Sequence, residues 1–222
     1  GEDKYRVALK GMEYAEGMQS VGVLACAKHF PGHGDTDKDS HKTLPCVICT
    51  RERLDLQELY PFKLLFNAGV GSVMVAHLNV PALDSTNTPA SLSHKITTDL
   101  LKNAMGFEGL VFSDALNMKG VSAAYPPGTV DSMAFMAGND ILVFSEDCSK
   151  GIEKIKRAVL DSTLSEKDLE VRVKKVLAYK YKMGLNDWHP IALENLEEDL
   201  SPDSARVLRQ QLFDKAITIA AN

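Results

Sequence analysis

The feature that most constrains the fold is a regular alternation of short apolar runs with longer amphipathic segments. Four runs have the length of a buried strand, and they lie at residues 21–27, 70–76, 110–113 and 140–144. Alternating strands and helices predict an α/β protein with a parallel sheet and right-handed crossovers. Four strands are too few for a closed eight-stranded barrel, which takes about 250 residues. The pattern therefore leaves two architectures open, a small doubly wound sheet and half of a (β/α)8 barrel.

Helical spacing of apolar residues predicts the segments around these strands. The expected helices cover residues 2–18, 50–66, 91–105, 129–137, 149–160 and 165–183. Pro61 should kink or split the second of them, because proline lacks the amide donor and clashes with the preceding turn. Gly184 is suited to end the last one as its C-terminal cap. Beyond it, residues 188–201 are polar and expected to be extended, residues 202–216 are expected to be helical, and residues 217–220 begin a strand-like run.

Bulk composition is that of a globular protein and excludes several classes. The chain has 222 residues, a net charge of −5 and no basic stripe, so a nucleic-acid-binding surface is not expected. Its longest apolar runs are of strand length, so no membrane-spanning helix is expected. Cys46 and Cys49 form a C-x-x-C pair, but Cys26 and Cys148 are isolated, and this spacing does not favour a zinc site. We expect the four cysteines to be buried as small hydrophobic side chains.

The densest group of titratable side chains follows the first predicted strand. Residues 28–41 read KHFPGHGDTDKDSH, with three histidines and three aspartates. In α/β enzymes such groups lie where parallel strands end and meet solvent. Gly32 and Gly34 permit backbone angles that other residues avoid. The segment is therefore a candidate catalytic loop, in which Asp39 and His41 are candidates for proton transfer.

A second candidate site lies at the end of the third predicted strand, where the run GLVFS leads into Asp114. A carboxylate at a strand tip can face the histidine loop across the mouth of a barrel. The residues alone leave two roles open for Asp114, a nucleophile and the N-cap of a helix that begins near Leu116. They also leave two roles open for His41, proton transfer and an ordinary solvated position in a loop.

Three segments, taken together, carry a resemblance to a known family. They are the loop KHFPGHG with DSH at residues 28–41, MVAHLNVP at residues 74–81, and GFEGLVFSDALNMKGV at residues 106–121. These segments and the spacing between them resemble glycoside hydrolase family 3, in its β-N-acetylglucosaminidase branch. The resemblance covers most of the chain, and KHFPGHG is far more specific than a bare glycine pattern.

The resemblance implies an architecture as well as a family. Residues 1–185 would be the second half of a (β/α)8 TIM-type barrel, with about four parallel strands and their helices. Residues 186–222 would be a linker and the first residues of a second, α/β sandwich domain. The first half of the barrel would then lie outside this chain, together with the substrate-binding Asp and Arg residues that family members draw from it.

The resemblance also implies a reaction. Asp114 would be the nucleophile that attacks the anomeric carbon, and His41, paired with Asp39, would be the acid/base. Retaining glycosidases need one carboxylate that stays ionised and one group that protonates the leaving oxygen. A histidine can serve because its reference pKa of about 6.5 lies near neutrality. The implied enzyme is a bacterial glycosidase that removes terminal β-linked N-acetylglucosamine from cell-wall peptidoglycan fragments during their turnover, with retention of configuration.

Five further side chains are candidates for substrate binding. Lys28 and His29 match the family's sugar contacts, although as residues they also fit a strand-end pair that orients the loop. His33 can contact ligand or brace the loop. His77 follows the next strand, where it can contact sugar or support the loop, and a buried, hydrogen-bonded histidine fits this position equally well. Met118 would form a floor beside the nucleophile, but its spacing is also typical of a core residue.

No metal and no cofactor are expected. His29 and His33 have the spacing of a helical zinc pair, but Pro31 and Gly32 break the helix that such a pair needs. The expected partner is a carbohydrate with a terminal N-acetylglucosamine, with no nucleic acid and no membrane span. The open edge of a half-barrel also predicts self-association. Because longer relatives are often exported, the resemblance favours the periplasm or cell envelope over the cytoplasm.

Three alternatives stay open. A neutral histidine avoids a second negative charge near an incoming anion, so the same scaffold suits a phosphorylase in which phosphate replaces water. A half-barrel could instead be an inactive fragment that acts only as a binding or association module. A small doubly wound binding domain would need a glycine-rich phosphate loop at a helix start, and the sequence has none.

Overall fold

The chain folds into two compact units, which are described separately. The computed structural model describes residues 1–36 and 43–218. The first unit covers residues 1–185 and the second covers residues 186–222. The assignment of these units to a half-barrel and a linker stays a prediction. Among the described residues, no helix combines the length and the apolar character needed to cross a bilayer.

A parallel sheet forms the centre of the first unit. In the described part of the chain it has three strands, β1 (Cys26–Phe30), β2 (Ser72–Val75) and β3 (Leu110–Ser113), in the order β1-β2-β3. The prediction of an α/β protein with a parallel sheet is confirmed. The first strand begins later than expected, because Val21 and Gly22 donate their amides back to carbonyls of the preceding helix and end it.

The fourth predicted strand, at residues 140–144, does not join the sheet as a ladder. Ile141 makes a single parallel bridge to β3. The amide of Val143 donates to the hydroxyl of Ser113 at 3.0 Å, and not to a backbone carbonyl. Phe144 has a φ of 53°, which turns the chain away. The expectation of about four strands is therefore wrong for the described residues, which contain three strands and one bridged segment.

Helices flank the sheet in the order that the sequence predicts. They are α1 (Lys4–Ser20), α2 (Arg51–Leu56), α3 (Leu59–Asn67), a 3₁₀ turn at Ala90–Leu92, a π-helix at Lys95–Ala104, α4 (Lys119–Ser122), α5 (Thr129–Ala137), α6 (Cys148–Leu160) and α7 (Glu166–Lys182). The predicted helix at 91–105 is thus shorter and wider than expected. Its wide form is visible at the C-terminal end, where the amide of Met105 reaches back five residues to the carbonyl of Leu100.

Local sequence signals explain several helix ends. Asp3 caps α1 by accepting from the amide of Arg6 at 2.8 Å. The expected split at Pro61 is confirmed, since α2 and α3 are separate and Pro61 lies in the first turn of α3, where its missing amide costs no helical bond. Gly184 has a φ of 75° and follows the end of α7, as expected of a C-terminal glycine.

The main core lies between the sheet and its helices. Its largest fully buried side chains are Phe30, Leu54, Leu59, Leu78, Ile96 and Leu101. Leu116, which is also fully buried, belongs to a second, smaller cluster with Leu92, Val121, Val130 and Ala134. Burial of each such side chain contributes about 1.5–3 kcal/mol.

The expectation that all four cysteines are buried is wrong. Cys26, Cys46 and Cys148 are exposed, and Cys49 is half-buried. Cys26 lies on β1, an edge strand of the described sheet, and Cys148 opens α6, so neither position is covered.

The buried carboxylate of Asp140 links two helices to the sheet near the start of β3. Asp140 accepts from the ammonium groups of Lys102 at 3.1 Å and Lys175 at 2.9 Å, and from the amide of Val111 at 2.9 Å. Its side chain is 1% exposed. Burial lowers the pKa of Lys102, and the neighbouring Asp140 opposes that shift. Asp140 therefore joins the π-helix, α7 and β3 through one carboxylate.

The described part of the second unit has two α-helices, α8 (Leu196–Leu200) and α9 (Asp203–Ala216). The helix predicted at 202–216 is confirmed. The expectation that residues 188–201 are extended is wrong at α8, whose first turn is acidic and so complements the helix dipole. The strand-like run at 217–220 lies partly outside the described residues and stays a prediction.

Candidate active site

The register of the sheet brings the ends of its three strands to one edge. Phe30 pairs with Val75, and Val75 pairs with Ser113. The amide of Ala76 donates to the carbonyl of Phe30, and the amide of Asp114 donates to the carbonyl of Val75, both at 2.9 Å. Side chains from three distant motifs therefore leave the sheet next to one another.

Asp114 is held at this edge with its two carboxylate oxygens in different surroundings. Oδ1 accepts from the amide of Ala115 at 2.8 Å. Oδ2 lies 4.0 Å from Nε2 of His29, and the Asp114 side chain is 14% exposed. The alternative role of Asp114 as a helix cap is wrong, because the following helix begins at Lys119 and its N-cap is Met118. One oxygen is thus fixed by the backbone while the other faces a histidine.

Lys28 and His29 lie side by side near the end of β1. Lys28 is exposed, and the His29 side chain is 30% exposed. The Lys28–His29 and Phe30–Pro31 peptide bonds are both cis. Lys28 and His29 line a cavity of about 780 Å³ that runs between β1, α1 and α3. Both predicted sugar contacts therefore border this cavity, and Asp114 is not among the residues that line it.

His33 lies in the loop after β1 and contacts the loop itself. Its Nδ1 is 2.8 Å from the hydroxyl of Thr36, and its ring meets that of His29 edge-on at 6.0 Å. Gly32 has a φ of 133°, and a Cβ added there would lie 2.7 Å from Cβ of Glu58. The predicted need for glycine is thus confirmed at Gly32, whereas Gly34 has no left-handed φ.

An ion-pair network that the sequence analysis missed anchors this loop. Arg53 donates to Asp35 at 3.0 Å and to Glu58 at 2.9 Å. The Glu58 side chain is only 7% exposed, and it packs beside Gly32. In the sequence these charges had the appearance of an ordinary solvated helix face. The sequence offered no clear signal for this network, because the Asp35 side chain is 61% exposed and a solvated carboxylate needs no basic partner.

His77 has no exposed surface. Its Nδ1 is 2.6 Å from the hydroxyl of Ser91, and its Nε2 is 2.9 Å from the carbonyl oxygen of Ala115. Burial lowers the pKa of His77. Of the descriptions left open for it, the structure fits a buried, hydrogen-bonded histidine, and a sugar contact stays a prediction. Ser91, its partner, was missed because a serine in a polar loop carries no signal of its own.

Met118 contributes its backbone to the same segment. Its amide donates to the carbonyl of Ala115 at 3.1 Å, and its side chain is largely buried. A role as the floor of a sugar site stays a prediction.

Asp39 and His41, the predicted acid/base pair, lie outside the described residues, and their roles also stay predictions. Among the residues that are described, no three His, Cys, Asp or Glu side chains come together to hold a metal.

A parallel sheet that presents a carboxylate and histidines at its carboxyl edge defines an α/β enzyme domain. Residues 1–179 match the model of the glycosyl hydrolase family 3 N-terminal domain. The chain therefore belongs to glycosyl hydrolase family 3, as its motifs predict.

Relatives and solved structures agree with this assignment. Over 142 residues the chain is 38% identical to beta-hexosaminidase A of Pseudoalteromonas piscicida. This alignment covers 59% of this chain and 24% of the relative. A family 3 β-N-acetylglucosaminidase from a Paenibacillus species superposes with a TM-score of 0.79 at 36% identity, over 84% of this chain and 36% of that one. The β-glucoside phosphorylase BglX superposes with a TM-score of 0.85 at 23% identity, over 93% and 39%, which shows a common fold alone. The chain thus spans between 24% and 39% of the length of these proteins.

Proposed function

We propose that this chain carries the nucleophile of a retaining β-N-acetylglucosaminidase that removes terminal β-linked N-acetylglucosamine from peptidoglycan fragments. The observation that carries the proposal is the placement of Asp114 at the end of β3, with Oδ2 4.0 Å from His29. Membership of glycosyl hydrolase family 3 and the likeness to a beta-hexosaminidase support the choice of an N-acetylated sugar. The peptidoglycan origin of the substrate and a location in the cell envelope rest on the motifs alone.

The first step is attack on the anomeric carbon. Oδ1 of Asp114 is occupied by the amide of Ala115, so Oδ2 is the attacking oxygen. An ester forms between Oδ2 and the anomeric carbon as the bond from that carbon to the leaving oxygen breaks. Lys28 and His29 lie near the end of β1, where His29 is beside Oδ2, and both can donate hydrogen bonds to the hydroxyl groups of the sugar.

The second group that the reaction needs is an acid/base, which we assign to His41 with Asp39. His41 protonates the leaving oxygen in the first step and accepts a proton from water in the second. Water then breaks the glycosyl ester, releases the sugar with its original configuration and restores the Asp114 carboxylate. Asp39 orients the imidazole and stabilises its charged form, as a carboxylate does for a catalytic histidine.

We also propose that residues 1–185 form the second half of a (β/α)8 barrel and that residues 186–222 lead toward a further domain. The order of three parallel strands supports this, as does the position of β1 at an edge of the described sheet. The cavity beside β1 lies where a neighbouring strand and helix would pack. An uncovered edge also supports association with a second chain, which gel filtration would detect.

The test is hydrolysis of a chromogenic β-N-acetylglucosaminide by the full-length protein, with the β-glucoside as control substrate and with phosphate present or absent. We expect cleavage of the N-acetylated sugar only, independent of phosphate, and a loss of about 10⁴-fold or more in Asp114→Ala. Normal activity in Asp114→Ala would contradict the assigned nucleophile. A phosphate-dependent sugar 1-phosphate product would favour the phosphorylase. A protein inert toward both sugars would contradict the proposed function.

A further inference from the structure

The peptide that follows Asp114 is held by a buried polar network that no catalytic role requires. The carbonyl of Ala115 accepts from Nε2 of His77 at 2.9 Å, and Nδ1 of His77 contacts the hydroxyl of Ser91 at 2.6 Å. The amide of Ala115, on the other side of the same residue, donates to Oδ1 of Asp114 at 2.8 Å. A continuous chain of hydrogen bonds therefore leads from Ser91 to the candidate nucleophile.

The direction of each hydrogen bond in this chain is fixed by chemistry. A carbonyl oxygen only accepts, so Nε2 of His77 carries a hydrogen. A neutral ring then has no hydrogen on Nδ1, and the hydroxyl of Ser91 donates to it. Because burial lowers the pKa of His77, the ring stays neutral near neutral pH. The acceptor-only carbonyl of Ala115 therefore fixes the tautomer of His77, and the hydroxyl of Ser91 supports that tautomer by donating to Nδ1.

Ser91 is itself fixed by its backbone. Its amide donates to the carbonyl of Ala76 at 3.1 Å. Its carbonyl accepts from the side-chain amide of Asn139 at 2.8 Å, and the same nitrogen donates to the carbonyl of Ala134 at 2.6 Å. Ser91 and Asn139 have no exposed surface. The backbone of Ser91 is therefore held by Ala76, which follows β2, and by Asn139, which follows α5.

We propose that Ser91 and His77 are positioning residues that set which carboxylate oxygen of Asp114 faces the sugar. The inference rests on the proposed function of Asp114. The carbonyl and the amide of Ala115 belong to successive peptide groups joined at its Cα, and the carbonyl also accepts from the amide of Met118 at 3.1 Å. Loss of the His77 bond would let the backbone angles at Ala115 change, which would shift its amide relative to Oδ1 and displace Oδ2. A displacement of about 1 Å in a reacting group can cost about 100-fold in rate.

The first experiment compares kcat and KM in the full-length protein. We expect Ser91→Ala to lower kcat about 10- to 100-fold and to leave KM within about 3-fold, because the loss lies in alignment of the nucleophile. His77→Gln keeps an amide donor for Ala115 and should retain more activity than His77→Leu, which has none. The matched control is Ser72→Ala, a serine 1% exposed whose hydroxyl donates to the carbonyl of Ala25 at 2.8 Å.

The second experiment reads the tautomer of His77 directly from imidazole ¹⁵N chemical shifts. We expect a protonated Nε2 and an unprotonated Nδ1 in the wild type. In Ser91→Ala we expect the same tautomer, because Ala115 still needs a donor, with a changed Nδ1 shift because that nitrogen has lost the hydroxyl that donates to it. A ring protonated at Nδ1 in the wild type would overturn the inference. Equal kcat values for Ser91→Ala and Ser72→Ala would do the same, since general destabilisation would then explain both.

The two experiments separate this inference from the proposed function. Asp114→Ala in the same assay reports on the function, because it removes the nucleophile itself. If the wild type hydrolyses no sugar, the proposed function fails, and the positioning role fails with it. If Asp114→Ala is inert while Ser91→Ala and both His77 variants keep wild-type kcat, the function stands and only the positioning role is overturned.

Discussion

Nε2 of His77 donates to the carbonyl oxygen of Ala115 at 2.9 Å, and this contact joins the end of β2 to the residue that follows the candidate nucleophile. Asp114 is consequently held by its neighbours in the sheet and not by a helix that it caps. Its amide is bound to β2, and the peptide after it is bound by a buried histidine. The backbone on both sides of the candidate nucleophile is therefore bound to the core.

Replacement of His41 by alanine should remove acid catalysis and leave the nucleophile in place. We expect kcat/KM to fall about 10²- to 10⁴-fold for a poor leaving group and much less for an activated dinitrophenyl leaving group, which needs no proton. The pH profile should also lose the limb that reports this acid. The measurement is a series of aryl glycosides of graded leaving-group pKa. An equal loss for every leaving group would contradict the assignment.

Gly32→Ala should disturb the loop after β1. The φ of 133° disfavours any side chain, and the added Cβ would lie 2.7 Å from Cβ of Glu58. We expect a loss of about 1–3 kcal/mol in the free energy of unfolding, together with lower activity. Gly34→Ala is the matched control, since no atom of the described residues lies within 4 Å of its added Cβ. Urea unfolding of both variants would check this, and equal stabilities would show that the loop adapts freely.

Asp84→Asn should weaken the fold at neutral pH more than at acid pH. Although burial alone raises the pKa of Asp84, hydrogen bonds from Ser93, Thr86 and Lys95 lower it to about 2. Because this lies below the unfolded value of about 3.9, the ionised carboxylate stabilises the fold above about pH 4. That stabilisation, about 2 kcal/mol, is lost as the pH falls through about 2.

Urea unfolding of the wild type and Asp84→Asn at several pH values tests this prediction. We expect the difference between the two proteins to be largest at pH 7 and to shrink steadily toward pH 2. Asp187→Asn is a control, because the Asp187 side chain is 83% exposed. A difference that does not change with pH would show that Asp84 acts through its shape and hydrogen bonds, and not through its charge.

Asp140→Asn should destabilise the first unit strongly. The variant would leave Lys102 and Lys175 partly buried without a carboxylate, and breaking a buried ion pair costs about 3–5 kcal/mol. The measurement is a double-mutant cycle with Lys175→Met, by thermal or urea unfolding. We expect the double variant to be less impaired than the sum of the single variants. Strict additivity would mean that Asp140 and Lys175 do not interact energetically.

Much of the fold could be predicted from local sequence. The apolar runs at 70–76 and 110–113 lie at β2 and β3, and Pro61 and Gly184 mark the helix breaks that occur. The segment at 140–144 could not be judged in this way, because its failure to form a ladder depends on the hydroxyl of Ser113, a distant residue. Likewise, local polarity gave no sign of the short helix α8.

The candidate site was also only partly predictable from local sequence. Asp114 and the loop after β1 could be found from the sequence, because a strand tip, a glycine and a run of titratable side chains are local features. Their distance could not, since it depends on the register that pairs Phe30 with Val75 and Val75 with Ser113.

The sequence by itself determined the parallel α/β class, the family motifs and the identity of the reactive side chains. Only the tertiary structure decided that His29 faces Asp114 while His77 is buried behind it. Both histidines follow or end a strand and are alike in sequence. The burial and the hydrogen-bond partners of each histidine depend on segments far along the chain. Packing therefore leaves His29 at the open edge of the sheet and buries His77 in the core.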